Sequence, residues 1–224
     1  LRRYAEWTRR GESLGSDPGF PKGSVLGPLI VAGISIGEDK IDELKRLGVK
    51  DSKSLTPSRR ETLNRGIRET GAEIILVKIQ PSEIDKTVLR RERHRKLNFL
   101  EAKAMAEVIA GLRPSIAFVD SCDVSCDRFR RQILEELGFN LPIISEHEAD
   151  RTYPIVSAAS ILAKVERDRC IRSIRRRWGD VGSGYPSDRK TVAFLSEAIN
   201  RGNLPRFVRK SWRTVRRILE RGQT

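Results

Sequence analysis

Apolar residues fall along this chain in short runs separated by charged, glycine-punctuated stretches, the signature of strands alternating with helices. Residues 25–36 are apolar except at Gly27-Pro28 and predict a first buried strand. EDKIDELKRLG predicts a short helix closed by Gly48, and VKDSKSL a polar loop carrying two lysines. Thr56-Pro57, a capping hydroxyl before a proline at the first helical position, opens a helix that stops at Gly71. AEIILVKI predicts a strand, residues 81–95 with RRERHR a charged connection, and residues 97–112 a helix. IAFVD is a short buried strand ending on Asp120, followed by a helix over 127–137 and the strand PIISE. Residues 153–178 form a long helix with Ile171, Ile174 and Trp178 spaced for one face and arginines on the other. Glycine-rich GDVGSGYPSD ends it, and helices over 189–200 and 211–221 follow. The alternation predicts an α/β fold, a mixed sheet with helices on its faces and a helical C-terminal extension.

At 224 residues the chain suits one domain, or a domain with a helical appendage. With 44 Lys and Arg against 30 Asp and Glu, its formal charge of +14 points to a polyanionic partner, nucleic acid first. No run approaches the ~18–20 apolar residues of a membrane helix, and LRRYAEWTRRGES lacks the apolar core of a secretory signal. A cytoplasmic protein without a membrane partner is expected. Cys122, Cys126 and Cys170 make neither an even disulfide set nor paired zinc-binding units, so small buried thiols are expected. Two histidines, His94 and His147, leave little for a histidine-rich metal site. A metal here would sit on oxygen ligands, favouring magnesium or manganese.

Acids at the C-terminal ends of buried strands draw attention, because in open α/β sheets ligands bind at that edge. Asp120 is one, and Asp150, after PIISEHEA and before the helix start at Tyr153-Pro154, is placed to face the same edge. Converging carboxylates repel unless cations sit between them, and paired cations are what two-metal phosphoryl chemistry uses. A helix cap or turn former is the alternative for each.

VDSCDVSCDRF, SEHEADRTYPIVSAASILAKVERDR and GSGYPSD together resemble ribonuclease HII, the type 2 ribonucleases H, in its archaeal form. GPLIVAG, LGVKDSKSLTPSRR and the late VRKSW fit the same family in the same order, over residues 23–216. The resemblance implies a ribonuclease H-like mixed five-stranded sheet flanked by helices. It implies an endonuclease that hydrolyses the RNA strand of RNA–DNA hybrids, including ribonucleotides embedded in DNA, using Mn2+ or Mg2+. Cutting on the 5′ side of the ribonucleotide, leaving a 3′-hydroxyl, and action as a monomer are further implications. By motif position Asp120 and Asp150 match two of the family's metal-binding carboxylates. Tyr185 matches the tyrosine that packs on the sugar beside the scissile phosphate, with an exposed turn tyrosine as the alternative. Lys53, Ser160 and Lys164 match positions approaching the nucleic-acid backbone, a solvated helix face being the alternative for Lys164. Asp123 and Glu146 match no ligand and are expected in cap or loop roles. Arg167, Arg169, Arg175 and Arg176, with the basic tail from Arg206 to Arg217, are expected to track phosphates without sequence preference.

The implied organisation is an atypical segment over 1–22, a catalytic core over 23–180 and a helical substrate-binding extension over 181–224. The first segment departs from the family, whose members carry Asp-Glu-Ala-Gly-Arg-Gly after an apolar first strand, where this chain has SDPGFPKG. With one inserted residue Asp17 takes the first carboxylate position as a catalytic metal ligand; without it Asp17 is a turn residue, and the glutamate is absent in either alignment. TRRGESLGS offers almost nothing to bury, so a missing central strand is expected, from a diverged N-terminus or a misread coding frame. The alternative function is a catalytically impaired hybrid-binding remnant.

Overall fold

The computed structural model describes residues 3–8, 23–49, 55–89 and 97–221. Five strands form one sheet: β1 (Arg3–Thr8), β2 (Leu29–Gly37), β3 (Glu73–Ile79), β4 (Ile116–Asp120) and β5 (Ile143–Glu146), in the order β3-β2-β1-β4-β5. The helices among the described residues are α1 (Ile41–Leu47), α2 (Pro57–Glu69), α3 (Pro81–Leu89), α4 (Leu97–Leu112) and α5 (Cys126–Leu137). They continue with α6 (Ala149–Thr152), α7 (Pro154–Trp178), α8 (Arg189–Asn200) and α9 (Arg213–Arg221). The chain divides into two compact units, one of Leu1–Arg10, Ile30–Lys78 and Asn98–Glu166, the other of Gly11–Leu29, Ile79–Leu97 and Arg167–Thr224.

The first unit holds the sheet. Its middle strand is β1, antiparallel to β2 with Glu6 opposite Ile34 and parallel to β4 with Trp7 opposite Val119. The expectation of a missing central strand is therefore corrected: the strand lies upstream of TRRGESLGS, in RYAEWT, whose Tyr, Trp and Thr favour extended backbone. β4 and β5 run parallel, with Asp120 opposite Glu146. β2 is buried along nearly its whole length, as a strand covered on both faces must be. α4 approaches β3 so closely that a Cβ on Gly111 would lie 2.5 Å from Ile75 Cδ1. α2 starts as its sequence dictates, with the Thr56 hydroxyl accepting from the Arg59 amide at 3.3 Å.

In the second unit the segment before β2 is a strap. Residues 25–28 are not strand, correcting the longer expectation. Gly27-Pro28 breaks the run, and the backbone bonds elsewhere: Val25 N–H to Gly184 O at 2.8 Å, Gly27 N–H to Phe207 O at 2.8 Å. The RKSW stretch fastens the strap, Arg209 Nε donating to Gly27 O at 2.9 Å and Trp212 Nε1 to Gly23 O at 3.2 Å. Residues 81–89 are helix α3 rather than a connection, entered at Pro81, which suits a first helical turn. Asp85 on α3 accepts from the Lys210 and Ser211 amides at 3.0 and 2.8 Å and from the Ser211 hydroxyl at 2.6 Å. Among the described residues, no helix is long and apolar enough to cross a membrane.

Candidate active site

Strand β4 delivers Asp120 to the end of the sheet, half-buried, and β5 beside it leads into a tight return. Ser121 N–H donates to Glu146 O at 2.7 Å, and Glu148 takes a left-handed conformation (φ 54°) that reverses the chain into α6. The return sets the Ala149 amide on Asp120 Oδ1 at 3.1 Å, so α6 starts at Ala149 beside the same strand end, with Asp150 its second residue. Asp150 is buried at 5% exposure, where a charge must be compensated. Carboxylate oxygens of this kind fit a hard divalent cation. Among the described residues no group of three or more His, Cys, Asp and Glu that could hold a metal ion assembles. Asp17 and Lys53 lie outside the described residues.

The loop after Asp120 is organised by Asp123, which accepts from Asn98 Nδ2 at 3.0 Å, from the Ser125 amide at 2.8 Å and from the Arg128 guanidinium. Burial works against its charge, but the Ser125 amide, Asn98 and Arg128 outweigh that and hold its carboxyl below the usual range. Glu146 is occupied by the Tyr153 hydroxyl, which donates to it at 3.2 Å. Neither acid is positioned as a free ligand. On α7, Ser160 and Lys164 stand one turn apart on one face. Ser160 is fully buried and Lys164 half-buried, so the lysine alone offers an accessible polar head.

Tyr185 sits in the second unit, in a loop built almost entirely from side-chain caps. Asp188 accepts from the Ser183 amide at 2.5 Å and the Lys190 amide at 2.9 Å, contacts that, led by the Ser183 amide, keep its carboxyl below the usual range. The Thr191 hydroxyl accepts from Gly184 N–H and donates to Val181 O, each at 3.0 Å. Gly184 adopts φ 82° with Ser24 and Arg167 against it, leaving no room for a side chain. Arg167 places its guanidinium 4.1 Å from the Tyr185 ring centre, donates to Ser183 O and to Ser24 Oγ at 3.3 Å, and pairs with Asp168 at 3.0 Å.

Two arginines therefore leave the expected phosphate-tracking face. Arg167 is turned inward onto Tyr185, and Arg209 is buried at 3% exposure over Trp212, whereas Arg175, whose Nε donates to Gly182 O at 3.0 Å, stays exposed. Helical periodicity assigns a face but not a long side chain's reach, and each found a loop carbonyl to satisfy. Arg169 and Arg176 remain exposed, as do Arg206, Arg213, Arg216 and Arg217. Arg167 as support for Tyr185 is what sequence reasoning missed, while Asp123 takes the loop role expected of it. The local signal for the latter was Asp-x-Ser before a helix, an Asx-type start.

The model of the family described as Ribonuclease HII matches residues 17–215. A ribonuclease HII of Methanoregula boonei is 45% identical over 199 residues, covering 88% of this chain and 90% of the relative. The crystal structure of ribonuclease H2 from Pyrococcus horikoshii superposes with a TM-score of 0.84 at 38% identity, covering 99% of both chains. An Archaeoglobus fulgidus RNase HII, solved in complex with PCNA, gives a TM-score of 0.80 at 40% identity over 95% of this chain and 96% of that one.

Proposed function

This chain belongs to the ribonuclease HII family and is a ribonuclease H, an endonuclease acting on the RNA of RNA–DNA hybrids; on that premise we propose how this molecule does so. It hydrolyses hybrid RNA and ribonucleotides embedded in DNA, cutting on the 5′ side of the ribonucleotide to leave a 3′-hydroxyl. It works in the cytoplasm as a monomer. Asp120, Asp150 and Asp17 would hold divalent cations, Mg2+ or Mn2+. Such ions, when bound, supply a water nucleophilic at neutral pH and neutralise charge on the reacting phosphate.

The protein's own groups prepare that centre. The Ala149 amide donates to Asp120 Oδ1, fixing one of its oxygens. Lys164 and Lys53 balance substrate phosphates, with buried Ser160 one turn before Lys164 on α7. Tyr185 lays its ring on the sugar beside the scissile bond, judging backbone position without reading a base, as stacking on a ring allows. Arg167 beneath it holds the ring's angle.

The observation that carries the reading is the Ala149–Asp120 bond, because it binds the two acid-bearing segments into one sheet end. A labelled duplex with one ribonucleotide, incubated with Mg2+, Mn2+ or chelator, tests it against Asp120→Asn and Asp17→Asn. Metal-dependent cutting is expected, reduced by each substitution at least about a hundredfold, the upper end of what losing even an outer-sphere partner of a ligand costs. Cutting untouched by Asp120→Asn overturns the site. Duplex binding without cutting makes the chain the hybrid-binding remnant that its SDPGFPKG segment allows.

A further inference from the structure

Charge along this chain is unevenly distributed. Residues 167–224 carry sixteen Lys and Arg against five Asp and Glu, eleven of the fourteen net positive charges. In the same unit three aromatic rings touch in a row. Trp178, the last residue of α7, meets Phe207 edge-on at 5.3 Å between ring centres, and Phe207 stacks on Phe194 at 6.0 Å. Trp178 is 46% exposed, and Phe207 and Phe194 are half-buried. A tryptophan with nearly half of its surface open to water is not a core residue. The buried Trp212 of this unit, at 2% exposure with its Nε1 bonded, shows the contrast.

Cationic residues adjoin the rings in sequence. Arg176 and Arg177 precede Trp178 and Arg206 precedes Phe207; all three are exposed, and among the described residues none enters an ion pair. An apolar protein partner would have to bury these guanidinium groups unpaired, at a cost a hydrophobic contact of this size does not recover. A duplex offers phosphates but no free base face. A single strand offers both, phosphates for the arginines and an unstacked base for the indole.

We propose that Trp178, supported by Phe207 and Phe194 and flanked by Arg176, Arg177 and Arg206, is a stacking platform for an unpaired base of single-stranded nucleic acid. None of these residues is among the groups assigned to hydrolysis. The platform extends the hybrid-cutting function by engaging a single-stranded tail or flap continuous with the duplex, and it binds such a strand whether or not the chain cuts.

The test uses the full chain with an oligothymidylate of about twelve nucleotides as probe. Indole fluorescence and anisotropy are followed for the wild type, Trp178→Ala and Trp178→Phe. Stacking predicts quenching on binding in the wild type and loss of that quenching in both variants. Affinity should fall about 5- to 150-fold in Trp178→Ala, matching the ~1–3 kcal/mol per stacked base. Trp178→Phe should recover part of it. Cleavage of a blunt duplex should stay within about twofold of wild type in both variants, while cleavage of a duplex with a single-stranded tail loses its advantage in Trp178→Ala. Equal oligothymidylate affinity in wild type and Trp178→Ala overturns the proposal. So does a concentration-dependent self-association abolished by Trp178→Ala with oligonucleotide binding unchanged, which makes the patch a contact between copies. A lowered melting temperature in Trp178→Ala accompanied by full binding in the well-folded Trp178→Phe, without quenching, assigns the ring a structural role and also overturns it. Because the oligothymidylate contains no ribonucleotide, failure of hydrolysis leaves this readout intact.

Discussion

At the scale of single residues, carboxylates divide by what satisfies them. Asp123 is spent on the Ser125 amide, Asn98 and Arg128, Asp188 on the Ser183 and Lys190 amides of its own loop, and Glu146 on Tyr153. Asp120 has one oxygen on an amide at the sheet end, where cation chemistry needs it. Asp123 has a consequence for pH. Its carboxyl titrates below the usual value when folded, despite burial, because Ser125, Asn98 and Arg128 bond the charged form. A depressed folded pKa contributes stability that is present above the unfolded value, near 4, and is lost as pH falls through the lower folded value. Asp123→Asn should therefore cost about 1.5–3 kcal/mol at pH 7, the worth of hydrogen bonds to a charged group. Urea unfolding of both proteins checks this, and the difference should shrink between pH 5 and pH 3. A gap that is constant over that range would assign the loss to packing instead.

At the scale of elements, most helices were legible because their boundaries are written in local chemistry. Thr56-Pro57 and Gly71 bracket α2, Ser125 and Gly138 bracket α5, and the apolar face of α7 keeps its period to Trp178. Besides the four-residue α6, two elements escaped, for opposite reasons. In α3 the charges of 90–96 swamped the start signal Pro81-Ser82-Glu83, so helix and connection merged into one polar stretch. β1 is only six residues, with Arg3 and Glu6 among them, and what makes it a central strand is the pair of ladders to β2 and β4, which no local pattern records. The candidate site shows the same split. Asp120 and Asp150 were readable as acids at strand ends, whereas Arg167 beneath Tyr185 depends on a loop fold no periodicity encodes. Because β1 lies between β2 and β4, removing residues 1–10 should open two ladders at once and leave two strand edges unpaired. The truncated chain is expected to lose cooperative thermal unfolding and to aggregate. A sharp melting transition within about 5 °C of the full chain would show that β1 is dispensable to the sheet.

At the scale of the whole molecule, the charge decides how tightly and how selectively nucleic acid is held. An excess of +14, eleven of it carried after residue 166, drives binding through counterion release and should give an affinity falling steeply with salt. The arginines differ in what already holds them. Arg167 and Arg209 are engaged by Ser183 and Gly27 carbonyls, so their positive charge is fixed in place rather than free to follow a phosphate. Arg213 and Arg217 on α9 are exposed and four residues apart, neighbours on one helix face. The double variant Arg213→Ala/Arg217→Ala should lower the slope of log affinity against log salt for a hybrid duplex by about 2, one unit for each phosphate no longer neutralised. Affinity should fall equally for duplexes of unrelated sequence, since phosphate contacts carry no base information. Arg209→Ala should behave differently. It removes a buried cation stacked on Trp212 and bonded to the strap at Gly27, so it is expected to lower the melting temperature with little change in the salt slope. If instead Arg209→Ala lowers the slope as the α9 pair does while the melting temperature holds, Arg209 reaches substrate. The division between structural and phosphate-tracking arginines would then have to be redrawn.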